Sequence, residues 1–105
     1  MDEITDATFA DEVLASPIPA IVDFWAPWCR HCQAVEPHLV AIAAEHEGRV
    51  RLVRVNVDEN LAVSGRYGVL SLPTVMLFAK GDARVTIFGG QTRSHYERAF
   101  APHLV

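Results

Sequence analysis

Two cysteines in 105 residues are too few for a disulfide-stapled scaffold. Lys80 is the single lysine, and the nine Lys and Arg residues are scattered along the chain. No polybasic patch is therefore offered to nucleic-acid phosphates or an anionic membrane, and the net charge of -4 points the same way. No apolar run approaches the roughly 18 residues that a transmembrane helix requires. Internal repeats, low-complexity tracts and long linkers are absent. No second CxxC or HxxxH spacing accompanies Cys29 and Cys32, so a tetrahedral zinc site lacks half its ligands, although His31 and His38 lie close in sequence. Met1-Asp2-Glu3 is acidic where a signal peptide would be basic, and the expected location is the cytoplasm.

What is present is ordinary globular composition: 50% hydrophobic and 21% charged residues. A chain of this length buries roughly two thirds of its unfolded surface, which suits one domain over residues 1–105, and nothing in the sequence calls for more than a monomer. Thr5-Asp6-Ala7-Thr8 has the composition of a helix start, with Phe9, Val13 and Leu14 following at helical spacing and Pro17 and Pro19 as the stop. Ala20-Ile21-Val22-Asp23-Phe24-Trp25 is apolar on both faces except at Asp23, as a central strand covered by helices must be. Its carboxylate is expected to be buried. A long helix then carries Cys32, Val35, Leu39, Ile42, Ala43 and His46 along one stripe, with Pro37 as a kink and Gly48 as a stop.

Val50 to Val57 reads as a second buried strand and Asp58 to Gly68 as a short helix. Thr74 to Phe78 and Ala83 to Phe88 read as an antiparallel hairpin about Lys80-Gly81-Asp82. Tyr96, Ala99, Phe100 and His103 mark a closing helix capped by Thr92. This order gives an α/β fold with a mixed sheet and helices on both faces. Cys29 then falls where a strand hands over to a helix, at the carboxyl edge of the sheet, where open α/β sheets place their sites.

A disulfide across so short a loop adds only about 2 kcal/mol, so the pair reads as reactive and not structural. The partial positive charge at a helix N-terminus favours a thiolate, which makes Cys29 the expected exposed nucleophile and Cys32, one turn deeper, the expected resolving thiol.

At these residues the chain resembles the thioredoxin family nearly end to end. Val22-Asp23-Phe24-Trp25-Ala26-Pro27-Trp28-Cys29 looks like that family's active-site strand and turn. Asn56 to Asn60, Tyr67-Gly68-Val69, Leu72-Pro73-Thr74, Lys80-Gly81 and Phe88-Gly89 match its later motifs in order. The resemblance implies a thioredoxin fold, a central mixed five-stranded sheet flanked by four helices. It implies a thiol–disulfide oxidoreductase that reduces protein disulfides, with no bound cofactor and with electrons from NADPH through thioredoxin reductase. It further implies a cis peptide before Pro73, bringing the Leu72 backbone beside Cys29 to pair with an extended substrate. Trp28, Leu72, Pro73, Phe88 and Gly89 would line the substrate site. Asp23 would accept the Cys32 proton through water, its pKa raised by desolvation; the alternative is that Asp23 only pairs with Arg54. Trp25 reads as a core aromatic.

Two departures from the family pattern bear on the chemistry. Arg30-His31 replaces the usual Gly-Pro between the cysteines, a feature similar to disulfide isomerases and the periplasmic oxidant. Its positive charge should favour the thiolate, and each pKa unit corresponds to at most about 1.4 kcal/mol, or roughly 30 mV toward a stronger oxidant. Arg54 replaces the usual lysine and would hold a fixed charge near Asp23, keeping it more ionised. Ser71 replaces the glycine common before the cis-proline loop and narrows the groove. The competing functional readings are a more oxidising, isomerase-like or glutathione-coupled oxidoreductase, and a redox-independent binding or chaperone module. His38, His46, His95 and His103 read as surface or half-buried packing residues.

Overall fold

In the computed structural model, which describes residues 1–104, the chain runs β1 (Asp2–Glu3), α1 (Ala10–Leu14), β2 (Ala20–Trp25), α2 (Arg30–Glu45), β3 (Arg51–Asn56), α3 (Leu61–Arg66), β4 (Thr74–Ala79), β5 (Asp82–Phe88) and α4 (Arg93–Phe100). A short 3-10 turn at Ala101–His103 follows. The five strands form one sheet in the order β1-β3-β2-β4-β5. Strand β2 pairs parallel with β3 and antiparallel with β4, so both of its edges are bonded. This is the mixed five-stranded sheet with four helices that the resemblance implies.

Residue alternation in the strands sorts the core into two layers. Val22, Phe24, Val53, Val55, Met76 and Phe78 pack against Phe9 and Val13 near α1 and Val63 of α3. Ile21, Val75, Leu77 and Ile87 pack on the opposite face against Val35, Leu39 and Ile42 of α2 and Tyr96 and Phe100 of α4. Tyr67 stands edge-on to Phe78 with centroids 5.1 Å apart, and Phe9 is within 5.5 Å of both rings. This geometry adds about 0.5–1.5 kcal/mol per pair beyond the area buried. Helix α2 runs through Pro37 as one element. The β4–β5 turn has Lys80 at φ 53° and Gly81 at φ 82°, the two left-handed residues that a two-residue hairpin of matching twist requires.

Three features differ from the sequence reading. Strand β1 is too short to show periodicity. It is held against β3 by the pairing of Asp2 with Val53 and Glu3 with Arg54, and by ion pairs from Arg51 to Asp2 and from Arg54 to Glu3. The first helix does not begin at Thr5. Thr5 to Thr8 closes a turn, in which the Thr5 N–H donates to Thr8 Oγ1 at 2.9 Å, and Ala10–Leu14 is wound as a wider π turn. Asp6, the residue expected to help start that helix, serves α3 instead. Its carboxylate accepts from the Val63 N–H at 2.9 Å and the Ala62 N–H at 3.2 Å, because the α3 N-cap residue Asn60 makes no side-chain cap of its own.

Asp6→Ala removes both acceptors from the start of α3. It should lower stability by about 1 kcal/mol, read as a lower urea midpoint at unchanged slope.

Candidate active site

Strand β2 ends at Trp25, and Ala26-Pro27-Trp28 carries the chain to Cys29, the N-cap of α2. Cys29 and Cys32 are joined as a disulfide, with their Cα atoms 5.3 Å apart. Cys29 Sγ accepts the backbone N–H of Cys32 at 3.2 Å, so this sulfur takes the place a Ser or Asp oxygen holds at an ordinary helix start. The N–H and the helix dipole favour negative charge on that atom. Cys29 is 5% exposed and Cys32 2% exposed, so the expected open nucleophile is nearly as covered as its partner in the oxidised state. Ala26, Trp25, Val57 and Leu72 account for that cover.

The Leu72–Pro73 peptide is cis, and Leu72 packs against the cysteine pair. The Gly89 N–H donates to the Pro73 carbonyl at 2.8 Å, which sets the corner after β5 beside the proline loop. Gly89 has φ +77°, a left-handed backbone suited to glycine, and its carbonyl accepts from the Tyr96 hydroxyl at 3.4 Å. Trp28 is 67% exposed and its Nε1–H donates to Asp58 Oδ2 at 2.9 Å. Phe88 is 57% exposed and Leu70 96% exposed. Exposed apolar side chains thus stand on the segments that flank the disulfide. Ser71 is exposed and lends its carbonyl to the Thr74 hydroxyl at 2.7 Å. Arg30 and His31 are both exposed on the first turn of α2, and neither enters a salt bridge among the described residues.

Ile21, Asp23 and Trp25 alternate onto the face that α2 covers. Asp23 is 0% exposed and neither of its carboxylate oxygens has a hydrogen-bond partner in the structure. Burial raises its pKa to about 7; the Glu36 charge adds to the rise, Arg54 opposes it, and Glu3 adds a smaller increment. Arg54 thus favours the ionised form, as expected, but burial outweighs it, and no Asp23–Arg54 ion pair forms among the described residues. Arg54 faces Asp23 across the β2–β3 register, but its guanidinium is engaged elsewhere. Nε contacts Glu3 at 2.8 Å and Nη1 contacts Glu36 at 3.2 Å, while Cζ lies 4.1 Å from the Trp25 ring centre. Desolvation of a fully buried carboxylate outweighs a shared, partly solvated charge.

Glu36, Glu3, Asp58 and Leu70 were not among the residues singled out from the sequence. Glu36 follows Cys32 by four residues on one helix, so helical spacing carried that signal; the others depend on tertiary pairing or loop placement. Among the described residues no three His, Cys, Asp or Glu side chains gather as a metal ion would need, and no helix is long and apolar enough to cross a membrane.

The family model for thioredoxin matches residues 1–101. "Thioredoxin 1" of Nostoc sp. is 41% identical over 102 residues, covering 97% of this chain and 95% of the relative. "Thioredoxin 1" of Synechococcus elongatus is 44% identical over 101 residues, covering 96% and 94%. "Thioredoxin M-type, chloroplastic" of Brassica napus is 40% identical over 86 residues, covering 82% of this chain and 49% of that longer protein.

A carboxyl whose folded pKa of about 7 exceeds its unfolded value keeps its proton longer in the folded chain. Below about pH 4 both states hold that proton and Asp23 costs nothing extra; the cost grows as pH rises toward 7 and then levels off. Asp23→Asn should therefore gain stability relative to the parent between pH 4 and pH 7, by at most about 4 kcal/mol. Urea denaturation at the two pH values measures it, and an equal difference at both would remove the proposed charge burial.

Proposed function

The chain belongs to the thioredoxin family and is a thiol–disulfide oxidoreductase with disulfide reductase activity, and on that premise we propose the following roles for its residues. Cys29 as thiolate attacks one sulfur of a substrate disulfide, forms a mixed disulfide and expels the other substrate sulfur as thiolate. Cys32 loses its proton to Asp23 through water. The resulting thiolate attacks Cys29 Sγ, closes the Cys29–Cys32 disulfide and releases the second substrate thiol. Two electrons have then passed from the protein dithiol to the substrate. The observation that supports this order is the Cys29 sulfur at the α2 N-cap accepting the Cys32 N–H, which favours charge on Cys29 first.

Asp23 suits the acceptor role because a pKa near 7 leaves it ready to take a proton at neutral pH, whereas an ordinary carboxylate is too weak a base. Trp28, Leu72, Pro73, Phe88 and Gly89 form the substrate-facing surface, with Leu72 offering backbone to an extended segment. The exposed Arg30-His31 dipeptide favours the thiolate and hence the reduced form. We place the potential above the roughly -270 mV of thioredoxin, at about -230 to -190 mV. Electrons come from NADPH through a thioredoxin reductase, and the protein works as a single-domain monomer without a bound cofactor. A cytoplasmic setting agrees with the likeness to the Nostoc and Synechococcus proteins, while the chloroplastic relative supports an organelle as the second setting.

Cys32→Ser should trap a stable mixed disulfide with a disulfide-bearing peptide, and Cys29→Ser should trap none; mass spectrometry of the adduct decides, and the reverse pattern would exchange the two roles. Asp23→Asn should slow release from the mixed disulfide by roughly 10–100-fold above pH 7 and much less below pH 6, where the parent carboxyl is itself protonated. Equal rates at neutral pH would take Asp23 out of the mechanism. Replacing Arg30-His31 by Gly-Pro should lower the potential toward about -270 mV in glutathione buffers.

A further inference from the structure

A positive side chain beside a carboxylate is ordinarily read as holding it ionised. Here the guanidinium opposite Asp23 is fixed by three other partners. Glu3 of β1 holds Nε at 2.8 Å, Glu36 of α2 holds Nη1 at 3.2 Å, and the Trp25 ring lies 4.1 Å beneath Cζ. The cluster carries one positive and two negative charges, a net of minus one, beside the buried Asp23. A neighbourhood of that sign favours the neutral acid. Glu36 is also placed to matter for the cysteines, since it sits one helical turn beyond Cys32.

Resting on the reading of Asp23 as the proton acceptor, we propose that Glu36 is a positioning residue for its proton: it holds the Arg54 guanidinium off Asp23 and supplies a negative charge, so the Glu3–Arg54–Glu36 cluster sets how firmly the acid keeps its proton. The cluster acts as a unit. Glu3 ties it to the first strand, Arg54 to the third strand, and Glu36 to the helix that begins at the redox pair. The other groups packed around Asp23 do not alter the sign. On α2, which covers this face, Cys32 is closed in the disulfide and carries no charge, and β4 presents Val75 opposite Asp23. Tyr96 of α4 is neutral, with its phenol raised by burial and, to a smaller degree, by the Asp23 charge.

The test is a carbon NMR titration of the Asp23 carboxyl in the oxidised protein, with a parallel pH–rate profile for release from the mixed disulfide. Glu36→Gln removes one negative charge and frees Arg54 toward Asp23, so the Asp23 midpoint should fall by about 0.5 pH unit or more. Glu36→Asp keeps the charge and should return the midpoint toward the parent value. Arg54→Gln should move it upward. The release profile should follow each shift. An Asp23 midpoint unmoved or raised in folded Glu36→Gln overturns the proposal. A midpoint that falls while the release profile stays fixed upholds the charge coupling and overturns Asp23 as the proton acceptor, so the two failures are distinguishable.

Discussion

The burial of β2 on every side is the constraint from which the rest of this molecule follows. The strand is bonded to β3 along one edge and β4 along the other, and helices cover both faces. A strand in that position must be apolar throughout, and Ala20 to Trp25 nearly is. Its one carboxylate has nowhere to go. Asp23 is left buried without a protein partner because its neighbours in the sheet are a valine and an arginine whose charge is engaged elsewhere. The same strand launches the Ala26–Cys29 turn, so the buried acid and the sulfur at the start of α2 are two consequences of one element.

Electrostatics at this site are decided by solvation before charge count. Arg54 is in register with Asp23 and opposes the rise in its pKa, yet burial prevails. An arginine that is partly solvated and shared by two carboxylates projects little net field into the interior. A buried carboxylate with no protein donor has given up most of its hydration with little in return. The result is a group that weakens the fold at neutral pH, and the acceptor role proposed for Asp23 makes that cost an exchange of stability for activity.

The surroundings of the disulfide show a similar exchange. Trp28, Leu70 and Phe88 leave apolar surface in water on the segments that flank the cysteine pair, and Trp28 and Phe88 belong to the surface proposed to meet substrate. Trp28 and the Phe88–Gly89 corner are held by polar contacts, the first to Asp58 and the second to Pro73 and Tyr96. Such anchoring leaves the faces of the rings free.

Much of this was legible in the residue order. The central strand, the long helix starting at Cys29, the hairpin at Lys80-Gly81, the Thr92 cap and the two-cysteine chemistry all rest on local periodicity, turn geometry and spacing, which act over a few residues. The motif series added the fifth strand, the cis peptide before Pro73 and the family. What the sequence alone did not determine were matters of long-range partnership. Asp6 abandons its own helix start for α3, more than fifty residues away, and the two-residue β1 is held by backbone pairing to β3, by the buried Ile4 beside it and by ion pairs to Arg51 and Arg54. The sign of the field at Asp23 belongs to the same group. Composition places an arginine nearby, but only the folded arrangement of Glu3, Glu36 and Trp25 decides where its charge points. Coulombic and desolvation energies depend on distance and burial in three dimensions, and neither is encoded in neighbouring residues.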